Sequence, residues 1–514
     1  MKTFEYGNMQ GGSNRSNAGR SRYFQRRLFF VLPVLTVLLS VALPARMTQG
    51  SAASAGGVKP GTWTQLGPAQ GETTAALVHV ANGNDLILWM APVSASNKYF
   101  YVAAEIKPTG GTASGPKDIF GGNDWHNLDP FTPPVLVSQG GKALLIFEGN
   151  RTGSSSDKYS AGCVIGDLLT PGGWQLQSWS LSANCPTDHL GATITTSGML
   201  SAAWPAGWAN GGIGLRYRIG TSPSLPASGD DQRLSTAPGM ANSVAEATDT
   251  ANQDIYAVWA RSNSTPVSRN GIWAADLSKN PSPLQAPGSG TNTQNSLREA
   301  VAVASPTGRG GIYLAYCNNT SPCSKVELWR YGAKSAVTVP KATSPTAVSL
   351  SAGPSGRLWI AWWSAANGTV SVVRTNEAGK RFGPVKTYAG PSGCKGDANG
   401  TIKISNGSQQ RLDVAVTCFN GSTHVYATQS LVPLQLTAST GAINHQRGGS
   451  VTFRVSDVGD AVAGATVKVG TKSATTNKKG LVTFRFPKGA KTGSLKVVAN
   501  APNYLPAATS LQIN

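Results

Sequence analysis

Six residues carry the chemistry this sequence offers most readily: Glu72, Asp129, Asp188, His189, Arg298 and Glu299. Each stands just ahead of an apolar, alternating stretch, where a loop hands over to a strand. Asn242, Glu246, Asp397 and Asn399 hold comparable places. Glycoside hydrolysis needs two carboxyl groups, one as acid and one as base or nucleophile. Glu72, Asp129, Asp188 and Glu299 would supply them, with His189 alongside. Arg298 is the one cation of the set, so the cluster would repel a carboxylate-bearing sugar rather than clamp it. The plainer reading is that these are solvated loop acids and turn formers, since Asp129 and Asp188 stand in the turn-like contexts LDPF and TDHL. Other chemistries lack their signatures. GxSxG never appears, and there is no CxxC or His–Cys clustering for zinc. No EF-hand spacing for calcium is present, and Gly-rich runs such as GRGG follow strand turns instead of opening helices. No cofactor, metal or nucleic-acid partner is expected.

The elements that would position these residues repeat. An apolar alternating stretch, a Gly/Asn turn and a strand ending in an aromatic recur seven times, from ALVHVANGNDLILW to GTIKISNGSQQRLDVAV. The closing residues are Trp89, Phe147, Trp204, Trp259, Tyr316, Trp362 and Val416, 46 to 58 residues apart. Third strands (KYFYVAAEI, NGIWAADL, TVSVVRT) and outer strands (GGWQLQSWSL, RFGPVKTYAG) follow most of them. Hairpins at this spacing are the mark of propeller blades. The seventh hairpin lacks an outer strand, and GTWTQLGPA (61–69) is an outer strand without a blade, so it is expected to close the ring. The expected fold is all-β, a seven-bladed β-propeller over residues 56–432, with an open sandwich as the alternative. Trp125, Trp174, Trp179, Trp208 and Trp363 fall outside the blade register. Of these, Trp125 and Trp208 are the candidate ligand contacts, although covered positions are commoner for tryptophan.

Composition agrees. The 514 residues include 60 Gly and 31 Pro with only 13% charged, a profile of many tight turns. Arg20, Arg22, Arg26 and Arg27 precede the apolar run Leu28 to Leu43, and small residues follow. This reads as a secretory signal and linker over residues 1–55, with an uncleaved membrane anchor as the alternative. A secreted or cell-surface location suits six cysteines, for which proximity suggests Cys163–Cys185, Cys317–Cys323 and Cys394–Cys418.

From residue 433 the composition shifts. VTFRVSD, ATVKVG, GLVTFRF and GSLKVVAN alternate like strands of a β-sandwich over residues 433–514. This region holds ten Lys/Arg against Asp457 and Asp460, a net +8 of the chain's formal +20. Exposed cations there would meet anionic cell-envelope polymers, and a solvated basic face is the commoner meaning of such a surplus.

The stretch DAVAGATVKVGTKSATTNKKGLVTFRFP resembles bacterial immunoglobulin-like and carboxypeptidase-regulatory-like domains, which implies a spacer or adhesive module without catalytic residues. The hairpins SPTGRGGIYLAY and GPSGRLWIAW resemble blades of the sialidase or neuraminidase-repeat superfamily, a likeness of fold. SRNGIW (Ser268–Trp273) and the GGW turn at Gly172 only echo that family's Ser-x-Asp-x-Gly-x-Thr-Trp hairpin. The Phe-Arg-Ile-Pro motif carrying its first substrate arginine is missing, so sialidase catalysis is not expected. The resulting expectation is a propeller that binds an extracellular ligand, a carbohydrate foremost, without catalysis. An exo-acting glycoside hydrolase and a structural surface protein without a small ligand are the alternatives. Oligomeric state is not legible in the sequence.

Overall fold

The computed structural model describes most of residues 61–514, continuously over 323–405 and 411–514. Residues 1–60 and several connections, among them 70–73, 127–132, 152–163, 178–189, 208–212, 222–231 and 291–300, lie outside the described residues. The described chain is all-β, its single helical element of more than one residue being a 3-10 turn at Pro354–Gly356.

Seven four-stranded antiparallel sheets follow one another among the described residues. At one edge of these sheets stand Ala76–His79, Val135–Gln139, Gly191–Ile194, Met240–Thr248, Val301–Ala304, Ala347–Ala352 and Thr401–Ser405. Each of these lies at one edge of its sheet and packs on the corresponding strand of the next sheet, and the last packs on the first. The seven sheets therefore close into a ring with these strands innermost. In the seventh sheet the outer strand is Thr64–Pro68, paired antiparallel with Ser422–Ser430 from Thr64↔Ala427 to Pro68↔His424.

The sequence pattern explains the layering. Second strands such as Ile255–Ser262 and Leu358–Ser364 are buried along their whole length, because sheets cover them on both faces. Seven separate apolar cores result, one between each consecutive pair of sheets. The last joins the seventh sheet to the first through Leu66, Trp89, Ala415 and Val425. Trp89, Phe147, Trp204, Trp259, Tyr316, Trp362 and Val416 are all buried in these layers, each contributing about 2–3 kcal/mol of transfer free energy if aromatic. Trp363, outside that register in sequence, is just as buried, with its Nε1 donating to the Asp397 carbonyl at 3.1 Å, so it is core rather than rim.

Residues 434–513 form two further sheets around one core. One is built on Gln435–Ala438, Gly449–Asp457, Asp460–Ala461 and Leu481–Phe486. The other contains Ala442–Ile443, Thr466–Val469, Lys472–Thr475, Gly493–Asn500 and Ala507–Ile513. Val451, Phe453, Val467, Phe484, Val497 and Leu511 meet between them.

This sheet pair is fastened to the sixth sheet of the ring by buried charge. Arg374 on Thr369–Arg374 and Arg357 in the preceding hairpin turn are almost wholly buried. Both reach Asp457 Oδ2, Arg357 through Nε at 3.2 Å, while Tyr504 donates its hydroxyl to the same oxygen at 3.3 Å. Arg357 also pairs with Asp460 at 3.0 Å and Glu377 at 2.9 Å. The Arg374 guanidinium lies between the rings of Trp359 (4.8 Å) and Tyr504 (5.4 Å). Between the two acids, Val458 holds φ at +51°, a conformation a β-branched residue adopts only when packing imposes it. The space it fills comes from Gly383, where a Cβ would lie 2.8 Å from Val458 Cγ2.

Candidate functional site

A cavity of about 340 Å³ lies inside the ring, bounded by the innermost strands of the first four sheets. Val78, Leu136, Val137, Ala192, Ile194 and Ala247 form its apolar wall. Its polar groups are Ser138, Thr193, Thr196, Glu246, Thr248, Thr250 and Gln253. These come from the closing halves of the inner strands and from the hairpin turns after them. The cavity is therefore at the end of the ring where inner strands finish, and of the acids nominated from sequence it contains Glu246.

Its polar groups are held by hydrogen bonds from sheet to sheet. Thr193 and Thr248 join hydroxyls across the third and fourth inner strands at 3.0 Å. Gln253 Oε1 accepts from the Thr196 backbone at 2.7 Å and its hydroxyl at 2.8 Å. Thr250 donates to the Pro306 carbonyl at 2.7 Å, tying the fourth hairpin to the fifth.

Glu246 is the unusual member. It sits in Met240–Thr248 beyond a bulge between Asn242 and Ala245, where Ser243 has φ +50° and the register with Ile255–Ser262 shifts. Bulges re-aim the side chains that follow them. Ser201 Oγ donates to Glu246 Oε1 at 2.8 Å, and Oε2 has no partner among the described residues. Burial pushes this carboxyl well above its ordinary 4.5, the Ser201 hydrogen bond opposing only in part. Burial thus favours the protonated form of Glu246 over the carboxylate. Gly191 lets the neighbouring strand come close enough to cover it: a Cβ there would lie 2.9 Å from the Ala245 carbonyl carbon.

A second buried pair, Asp85 and Asp413, bridges the first and seventh sheets. Ser405 donates to Asp85 Oδ1 at 3.1 Å, where His79 Nδ1 also lies at 3.1 Å. Gln429 donates to Asp413 Oδ1 at 2.8 Å, and Arg411 Nε sits 3.3 Å from Asp413 Oδ2. Burial and the neighbouring Asp85 raise Asp413 well above 3.8. Burial also works against Asp85, yet hydrogen bonds from Asp413, His79 and Ser405 bring it below that value. The dyad forms a seam across the ring closure.

The residues nominated from sequence divide clearly. Glu72, Asp129, Asp188, His189, Arg298, Glu299 and Trp208 lie outside the described residues. Trp125 is placed by its backbone alone, in the short ladder Trp125–His126 with Asn150–Arg151. Asp397 serves its own loop, accepting from the Phe419 backbone at 2.8 Å and the Asn399 backbone at 3.0 Å. That loop is stapled by Cys394–Cys418, and Cys317–Cys323 bridges the ends of a fifth-sheet hairpin. Cys163 and Cys185 lie outside the described residues. Among the described residues, no group of three His, Cys, Asp or Glu could hold a metal, and no helix is long and apolar enough to cross a membrane.

No family model matches the sequence, and no curated protein sequence matches it. Among solved structures, a protein of unknown function from Dyadobacter fermentans is similar at 10% identity over 73% of this chain and 98% of its own, with a TM-score of 0.42. The GH93 α-L-arabinofuranosidase of Fusarium graminearum, solved with arabinobiose, is similar at 11% identity over 71% and 97%, with a TM-score of 0.40. A PL25 ulvan lyase is similar at 10% identity over 72% and 94%, with a TM-score of 0.42.

Proposed function

We propose that this chain is a secreted or cell-surface protein whose residues 56–432 form a seven-bladed β-propeller that binds a neutral carbohydrate without turning it over. Residues 433–514 are an immunoglobulin-like domain carried behind the ring. The observation that carries this reading is the lining of the ring cavity. Hydroxyls of Ser138, Thr193, Thr196, Thr248 and Thr250, the Gln253 amide and the buried Glu246 carboxyl line a volume suited to a small sugar. The hydroxyls and the amide both donate and accept, as sugar hydroxyls do, and carry no formal charge. The lining carries a single carboxyl among the described residues, whereas hydrolysis of a glycosidic bond uses two.

A glycan array with a parallel panel of chromogenic glycosides tests the proposal. Binding without turnover is the expected result, and Thr248→Val with Gln253→Ala is expected to weaken it about tenfold or more, at about 1 kcal/mol per lost hydrogen bond. Binding indifferent to that double variant would move the ligand out of the cavity. Turnover abolished by both Asp188→Asn and Glu299→Gln would replace the binding reading with the hydrolase.

A further inference from the structure

The charge of residues 433–514 is sorted in space. All ten of their lysines and arginines are exposed. Both of their acids, Asp457 and Asp460, are taken up by Arg357 of the ring, Asp457 also by Arg374. No exposed carboxylate side chain remains on this sheet pair to offset its cations.

Half of those cations collect at one end. Gly449 pairs with Phe486 and Ser450 with Arg485, while Asp457 lies at the other end of the same strand, against the ring. Nine residues at 3.3 Å rise separate the two ends by about 26 Å. At the far end stand Arg447 before that strand, Arg485 at the close of its partner, Lys488 and Lys491 in the following turn, and Lys472. The turns are fixed to one another. Gly489 donates its N–H to the His445 carbonyl at 2.8 Å, and His445 Nδ1 contacts the Ala490 carbonyl. Lys472 Nζ donates to the Arg485 carbonyl at 2.8 Å and lies over the Phe486 ring at 5.2 Å. Gly448 carries φ +69° where a Cβ would meet the Phe486 carbonyl at 2.7 Å. The five cations are thus presented by braced turns and the strand ends beside them.

We infer that this tip is a docking surface for a linear polyanion bearing repeated carboxylates or phosphates. Closely spaced cations without intervening acids attract a polymer of like-spaced anions more strongly than single ions, because each neutralised group releases counter-ions. The aromatic side chains of this region point elsewhere. Phe453, Phe484 and Phe486 are buried and Tyr504 faces Arg374, so the tip offers neither stacking platforms for nucleic-acid bases nor an apolar wedge for a bilayer. The inference does not depend on the ring cavity.

The test uses the full exported chain at about 50 mM salt, with sodium polyphosphate, polygalacturonate, phosphatidylglycerol vesicles and oligo-dT as probes. Lys488→Glu with Lys491→Glu is compared with Lys478→Glu and Lys479→Glu, the same charge change at the turn nearer the ring. Thermal melts of both variants establish that each is folded. The tip pair is expected to weaken one or both polymers at least about tenfold and to flatten their salt dependence, the other pair less than about threefold. Phosphate and carboxylate polymers are told apart by which binds tighter. Equal losses in both variants, no polymer binding, or tighter binding to vesicles or oligo-dT would overturn the proposal.

Discussion

Replacing Asp457 by alanine is expected to release the C-terminal sheet pair from the ring. Asp457 Oδ2 is shared by two guanidinium groups, and their residues and Asp457 are each no more than 3% exposed. At the 3.2 Å of the Arg357 contact, an effective dielectric constant of 20 gives an attraction of about 5 kcal/mol. The Arg374 contact is of the same order. Desolvating the carboxylate offsets several kcal/mol of that sum, and removing one partner of such a buried cluster costs about 3–5 kcal/mol in net terms. Burial already pulls the Arg374 guanidinium below its ordinary value against the pull of Asp457, so the variant leaves that strain uncompensated. Calorimetry reads the outcome. For a segment of this size, a loss of 3 kcal/mol or more of docking is expected to separate its transition from that of the ring by at least about 10 °C. Asp457→Leu combined with Arg374→Met is expected to restore most of the coupling, since an apolar replacement of matched volume removes both charges. An Asp457→Ala protein that melts as one transition within about 2 °C of the parent would refute the reasoning.

Four further outcomes are expected. For Glu246, the folded state keeps a proton that the unfolded chain releases near 4.5, so stability falls as pH rises through and above that value. Glu246→Gln should therefore gain Tm relative to the parent as pH rises above about 4.5, and a difference independent of pH would show that the carboxyl is solvated. Gly191→Ala should cost about 1–3 kcal/mol in urea titration through its clash with Ala245, and a neutral effect would show that the two inner strands are free to part. Deleting residues 61–69 bares the edge of Ser422–Ser430 and uncovers the core around Leu66, lowering Tm and promoting aggregation; a truncated chain that melts like the parent would show that closure is dispensable. Cys394→Ser with Cys418→Ser opens a loop of sequence separation 24, costing about 3–4 kcal/mol by chain entropy, measurable as a denaturation midpoint shift that reduction of the parent should reproduce.

The strands were legible because their apolar periods are strong and their closing aromatics mark the second strand of each sheet. Proximity along the chain also placed two of the disulfides. The cavity was less legible. Glu246 could be noticed as a polar residue on an inner strand, but its burial depends on a bulge and on Gly191 in another sheet, neither of which leaves a local pattern. The docking of the C-terminal sheets was not legible at all. Arg357 in SGRLW and Arg374 in VVRT look like solvated charges, and DVGD looks like an ordinary turn, until a fold brings positions 83 residues apart together.

The pairing of Thr64–Pro68 with Ser422–Ser430 also sets an order in time. The other strand partners in the ring lie within their own sheet's stretch of sequence and can form while the rest of the chain is still arriving. This strand must wait for residues about 360 positions later, a loop whose closure entropy costs about 5 kcal/mol. Ring closure therefore comes last among the strand pairings of the ring. Until it happens, the first and seventh sheets each keep an apolar flank open to solvent, and the interval between arrival of the last strand and capture of the first is when the chain is most exposed to proteases and to its own copies.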